Sequence, residues 1–166
     1  MILEIQGWKF EIDMAATMEY SANESKDHCD CAYCRNFYAT VDGIYPHLRP
    51  FLAQFGLDIE APDELMPFDM DDRMDYDAVY AVAGRILHAG DELLKVDGLR
   101  VAPELDSQIN HSQLEPCFYL AIDSIQLPWV LNEPMKDVVS PANFPSFLRK
   151  MWNKLLGRQP QEDITS

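Results

Sequence analysis

Apolar residues recur along this chain at two distinct spacings, and the two sort it into strands and helices. Trp8, Phe10 and Ile12 alternate with Lys9 and Glu11 in a β-rich run over residues 2–12, the period-two pattern of a half-buried strand. Gly7 either bends that strand or turns it into a short hairpin. Tyr76, Ala78, Tyr80, Val82, Gly84 and Ile86 alternate against Asp77, Val79, Ala81, Ala83, Arg85 and Leu87, which predicts a long strand with small residues on one face. Turn signals follow at residues 89–92 and at Asp97-Gly98. The second separates residues 93–96 from 99–102, so a β-meander is expected there. Residues 117–127 are almost wholly apolar apart from Asp123, Ser124 and Gln126, as a central strand would be, and Pro128 ends them.

Helical spacing appears in four places. Residues 14–22 predict a short helix. A second is expected from Asp30, whose carboxylate can accept from first-turn amides, to Asp42, with Gly43 as its stop. Cys34, Phe37, Tyr38 and Val41 then share one face. A third starts at Pro46 and carries Leu48, Phe51, Leu52 and Phe55 at i, i+3, i+4 and i+7 before Gly56 ends it. Pro134, Pro141 and Pro145 make residues 132–146 an irregular crossing. The last helix, 146–156, sets Phe147, Leu148, Met151, Trp152, Leu155 and Leu156 in one stripe opposed by basic residues, a stripe expected to dock on the sheet. The fold class is therefore α+β: an antiparallel meander sheet covered by two short helices (about 30–55) and a C-terminal amphipathic helix. One domain spans 1–158, with 159–166 as a flexible tail.

Composition agrees with a folded domain, since 48% of the 166 residues are hydrophobic and 11% aromatic, and a chain of roughly 150 residues buries most of its unfolded surface. The start lacks a basic, apolar, small-residue leader and no apolar run approaches the ~20 residues of a membrane span. A cytoplasmic location is the expectation. Charge is more selective: 13 basic against 28 acidic residues give −15, which argues against nucleic acid and anionic membrane and for a basic protein partner. The excess is uneven. Residues 149–166 carry four basic and two acidic side chains, hence +2, and residues 1–148 carry −17. Nine acidic residues lie between Asp58 and Asp77 with only Arg73 to offset them. The run 69–77 fails the EF-hand pattern because Arg73 and Met74 stand at its fifth and sixth positions, so a solvated acidic loop is expected there.

The chemistry concentrates in residues 28–38, His-Cys-Asp-Cys-Ala-Tyr-Cys-Arg-Asn-Phe-Tyr, which hold three of the four cysteines. Crowding of this kind suits metal or thiol chemistry better than a framework of disulfides. Cys29, Cys31 and Cys34 are three soft ligands for zinc, and the fourth would come from His28, Cys117, His47, His88, His111, a carboxylate or water. Alternatively, Cys31-Ala-Tyr-Cys34 at a helix start stabilises a thiolate for disulfide exchange. The third reading packs Cys34 as a small core residue and leaves Cys29 and Cys31 as incidental thiols. No acid/base pair, phosphate loop or nucleophile with a base assembles from the motifs, so a binding protein is expected ahead of an enzyme, with a thiol oxidoreductase as the competing class.

Two resemblances bear on this. The Cys31–Cys34 tetrad is similar to that of the glutaredoxins over four residues, although the lead-in Ser-Lys-Asp-His-Cys-Asp is not the apolar strand those proteins carry there. More widely, Gly7-Trp-Lys-Phe-Glu, Cys29-x-Cys-x-x-Cys-Arg-Asn-Phe-Tyr, Gln54-Phe-Gly-Leu-Asp-Ile and Leu127-Pro-Trp-Val-Leu resemble a group of small bacterial proteins of unknown function. That likeness spans most of residues 1–131. It implies a bacterial cytoplasmic protein and transfers no activity.

Overall fold

The long alternating segment is the axis of the molecule in a computed structural model, which describes residues 1–24, 29–70, 73–105 and 114–133. The strands in chain order are β1 (Ile2–Ile5), β2 (Trp8–Ile12), β3 (Glu64–Met70), β4 (Arg73–His88), β5 (Leu94–Val96), β6 (Leu99–Glu104) and β7 (Cys117–Leu127), with α1 (Met14–Glu24), α2 (Ala32–Ile44) and α3 (Leu48–Ala53) between β2 and β3. All pairings are antiparallel in one seven-stranded sheet of order β1-β2-β4-β7-β6-β5, with β3 also on β4. This is the α+β architecture expected, and β5, β6 and β7 form the meander. The C-terminal helix predicted at 146–156 and the tail at 159–166 lie outside the described residues.

β4 owes its central place to its length and its small residues. One edge pairs with β7 from Met74 to Ala83. The other edge is shared, β3 taking Arg73 to Val79 and β2 taking Gly84 to His88. Gly84 sits where the edge changes hands, at φ +147°, and a Cβ built on it would stand 2.0 Å from the Glu11 carbonyl oxygen. Only glycine admits that approach. Two hairpins use two-residue turns with both φ values positive: Gln6-Gly7 (47° and 83°) joins β1 to β2, and Asp97-Gly98 (50° and 83°) joins β5 to β6. Such turns match the strand twist, which is why Gly7 closes a hairpin instead of bending one strand.

The acidic stretch is the main correction. Residues 64–70 and 73–77 are paired strand, not a solvated loop, and β4 begins at Arg73 instead of Tyr76. Acidic residues disfavour strands, but Met74 and Tyr76 are fully buried and Phe68 is 5% exposed, so burial on both faces overrides the local preference. Pro67 is tolerated because β3 is an edge strand.

The face of β4 that carries Met74, Tyr76, Ala78, Tyr80 and Val82 meets α2, α3 and the chain after them in one core. Phe10 is its hub, edge-on to Phe55 at 5.3 Å and stacked on Phe118 at 5.2 Å, a geometry that adds to simple area burial. Leu48, Phe51, Leu52 and Phe55 are all buried, as their spacing requires. Helix α3 itself is shorter than expected, beginning after Pro46 and stopping at Ala53. Pro50 fits inside it because the first-turn amides have no intrahelical acceptor. Tyr80, fully buried, donates its hydroxyl to the Ile59 carbonyl at 2.9 Å and ties the segment after α3 to the sheet.

A paired glycine experiment tests this reading. Gly84→Ala should lower stability by about 3 kcal/mol in chemical denaturation, the range of a strained buried backbone clash. Gly43→Ala should be neutral or stabilise by up to about 1 kcal/mol, because Gly43 is helical and a Cβ there meets nothing within 4 Å.

Candidate metal centre

Helix α2 carries the cysteines to the sheet. Its N-cap is Cys31, at φ −62° and ψ 157°, with no side-chain capping bond. The expected cap, Asp30, is not used in that way: its carbonyl instead accepts from the Arg35 guanidinium at 2.8 Å. The first helical bond runs from the Arg35 amide to the Cys31 carbonyl at 3.0 Å. At the other end Gly43 does not stop the helix, which runs to Ile44 and closes when the Tyr45 amide donates to Val41. Cys34, Phe37 and Val41 are buried on the inner face, with Tyr38 half-buried beside them, as the sequence spacing predicted.

A short polar relay holds that helix in place. Asn36 is fully buried. Its amide nitrogen donates to the Pro128 carbonyl (3.0 Å) and the Tyr76 hydroxyl (3.3 Å), and its amide oxygen accepts from the Val130 amide (2.9 Å). Tyr76 in turn donates to the carbonyl of Tyr33 at 2.9 Å. Tyr33 lies between Cys31 and Cys34, so the sheet contacts the cysteine turn directly. Arg35 pairs with Glu133 and Tyr33 packs at 5.8 Å on Trp129, which fastens the chain after β7 over the same turn.

The thiols of Cys29, Cys31 and Cys34 lie within 4.8 Å of one another. Cys29 and Cys31 are exposed, Cys34 is buried, and none is in a disulfide. Three sulfurs around one zinc at ~2.3 Å would stand about 3.8 Å apart, so this arrangement needs only a small contraction to close on an ion. Electrostatics differ among the three. Burial opposes ionisation of Cys31, but the amides of Cys34 and Tyr33 and the neighbouring thiols outweigh it and bring its pKa below the ordinary thiol value. Burial, and then the thiols of Cys31 and Cys29, push Cys34 well up. Burial, and then the thiols of Cys34, Cys29 and Cys31, push Tyr38 up to about 12.

Among the described residues no fourth histidine, cysteine or carboxylate joins the group. Cys117 begins β7 with its sulfur 3.8 Å from the Tyr119 hydroxyl. His47 is engaged with Asp97 at 2.6 Å, receiving α3 at the β5–β6 turn, and His88 ends β4 opposite Lys9. His28 and His111 lie outside the described residues. Asn36 and Tyr76, the positioning residues, carried no sequence signal, since the Asn36 partners are 92 and 94 positions away.

Replacing Asn36 by Ala should cost about 2 kcal/mol in denaturant titration, because it removes a fully buried side chain and with it the hydrogen bonds to the Pro128 carbonyl, the Val130 amide and the Tyr76 hydroxyl. Comparison with known proteins assigns no roles to these residues: no family model matches the chain, and no curated protein or solved structure matches it either.

Proposed function

We propose that this is an acidic binding protein in which Cys29, Cys31 and Cys34 hold a structural zinc ion. The observation that carries the reading is the convergence of three sulfurs within 4.8 Å at the start of a helix fixed to the sheet. A dication offsets the charge of three thiolates, and thiolate ligands favour zinc over hard cations such as calcium and magnesium. Zinc bound there would tie residues 29–31 to α2 and so order the chain leading into the helix, contributing to folding instead of chemistry. The −15 net charge selects a basic protein as partner and speeds its encounter. No helix among the described residues is long and apolar enough to cross a membrane.

A second reading rests on the placing of one pair. Cys31 is exposed at the N-cap and Cys34 is buried one turn on, the order of an attacking and a resolving thiol. The pair would lose two electrons and two protons to become a disulfide while a partner disulfide is reduced to two thiols.

Elemental analysis with thiol titration separates the two. For zinc, purified protein should carry about one equivalent, chelation should release the thiols to titration, and Cys31→Ser should lower zinc retention with the fold intact. Metal-free protein with freely titrating thiols would overturn it, and a reversible Cys31–Cys34 disulfide would favour exchange. The partner is tested by affinity capture across salt: basic proteins held at ~0.1 M should be lost by ~1 M, as the Debye length falls from about 10 Å to about 3 Å. Capture indifferent to salt would contradict an electrostatic partner.

A further inference from the structure

The loop that follows β7 is built against the cysteine turn. Pro128 comes directly after the strand, and the chain then folds back on itself, the Trp129 indole donating to the Glu133 carbonyl at 2.8 Å. Residues 128–133 are bound to the start of α2 along their whole length. The Asn36 side chain donates to the Pro128 carbonyl and accepts from the Val130 amide. The Trp129 ring lies 5.8 Å from that of Tyr33, tilted by 57°. The Glu133 carboxylate pairs with the Arg35 guanidinium.

These contacts fall on both intervals between the three cysteines. Tyr33 lies between Cys31 and Cys34, and its position is fixed twice, by the Tyr76 hydroxyl on its carbonyl at 2.9 Å and by Trp129 on its ring. Asp30 lies between Cys29 and Cys31, and its carbonyl accepts from Arg35 at 2.8 Å. One guanidinium thus spans from the Cys29–Cys31 interval to Glu133 at the far end of the loop. A turn ordered before its ligand arrives has less conformational entropy left to lose on binding, so its affinity is higher.

We propose that residues 128–133 are a strap that holds Cys29, Cys31 and Cys34 in metal-binding geometry, with Trp129 and Glu133 as positioning residues of the site, so that lifting the loop lets the ion go. This rests on the zinc reading above and adds what governs retention of the metal. Trp129 acts through Tyr33, and Glu133 acts through Arg35. Partners one step removed from a metal ligand are worth about 10-fold to 100-fold in affinity. The Arg35–Glu133 pair is at the surface and contributes less, so Trp129 is the stronger of the two holds.

Zinc affinity, measured by competition with a chromogenic chelator, reads the strap directly. Trp129→Ala should weaken zinc binding roughly tenfold and Glu133→Gln roughly twofold to fivefold, each with the circular dichroism spectrum of the wild type. Trp129→Phe keeps a ring against Tyr33 and should retain most of the affinity, which a loss of general stability would not explain. Tyr33→Ala combined with Trp129→Ala should bind zinc no more weakly than the weaker of the two single variants, since both remove the same contact. Glu133→Gln alters only a surface pair and keeps the test valid if Trp129→Ala does not fold. Zinc held by Trp129→Ala and Glu133→Gln as tightly as by the wild type would overturn the strap and leave the zinc reading standing. Additive losses in the double variant would overturn action through Tyr33. A wild type that binds no zinc would overturn both readings together.

Discussion

The hydrogen bond from the Tyr76 hydroxyl to the Tyr33 carbonyl joins the two halves of this molecule. Tyr76 is fully buried in the central strand, and its phenol has to find a partner there. The partner it finds is the backbone of the first turn of α2, between Cys31 and Cys34. Asn36 completes the set by donating to Tyr76 and by holding residues 128 and 130 on the helix. The cysteine turn is therefore positioned by a satisfied polar network reaching up from the core, with no metal needed to bring α2 to the sheet. What an ion would add is confined to residues 29–31, the exposed arm of the group.

The same strand explains why the sheet has two unlike faces. β4 is long enough to pair with β2 and β3 in succession along one edge, and Gly84 permits the close crossing of Glu11 that the handover requires. Its even-numbered side chains Met74, Tyr76, Ala78, Tyr80 and Val82 enter the aromatic core. Its odd-numbered ones are Asp75, Asp77, Val79, Ala81 and Ala83, of which Val79 and Ala81 join Tyr119 in a second, smaller buried cluster. The first face is closed by α2 and α3; on the second, Val79, Ala81 and Tyr119 are buried with Tyr20, Leu114, Cys117 and Ala121 packed against them.

Periodicity made most of this fold legible because its strands and helices are strongly patterned and the β1–β2 and β5–β6 turns carry Gly7 and Gly98 at positions of positive φ. What escaped was decided over long range. Cys31 stands at the cap in place of Asp30, and Gly43 stays helical because the Tyr45 amide still reaches Val41. The acidic hairpin looked like solvated loop because Asp disfavours strands; Met74 and Tyr76, facing the core from between those acids, outweigh it. The cysteine triad was readable from spacing alone. Its supports, Asn36 and Tyr76, were not, since nothing local distinguishes a buried asparagine from an exposed one.

The balance between metal binding and thiol exchange follows from charge. A thiol used for exchange has to ionise, and the −15 of the chain works against each new negative charge over the ~8 Å within which charges are felt at physiological salt. Local amides overcome this at Cys31 but not at Cys34, where burial and the other two thiols push ionisation up. A dication acts oppositely on all three at once. It is drawn to an anionic body, cancels the repulsion among adjacent thiolates, and becomes more firmly held as each sulfur ionises. An acidic protein with a crowded thiol triad is thus better suited to keeping a cation than to keeping a free thiolate.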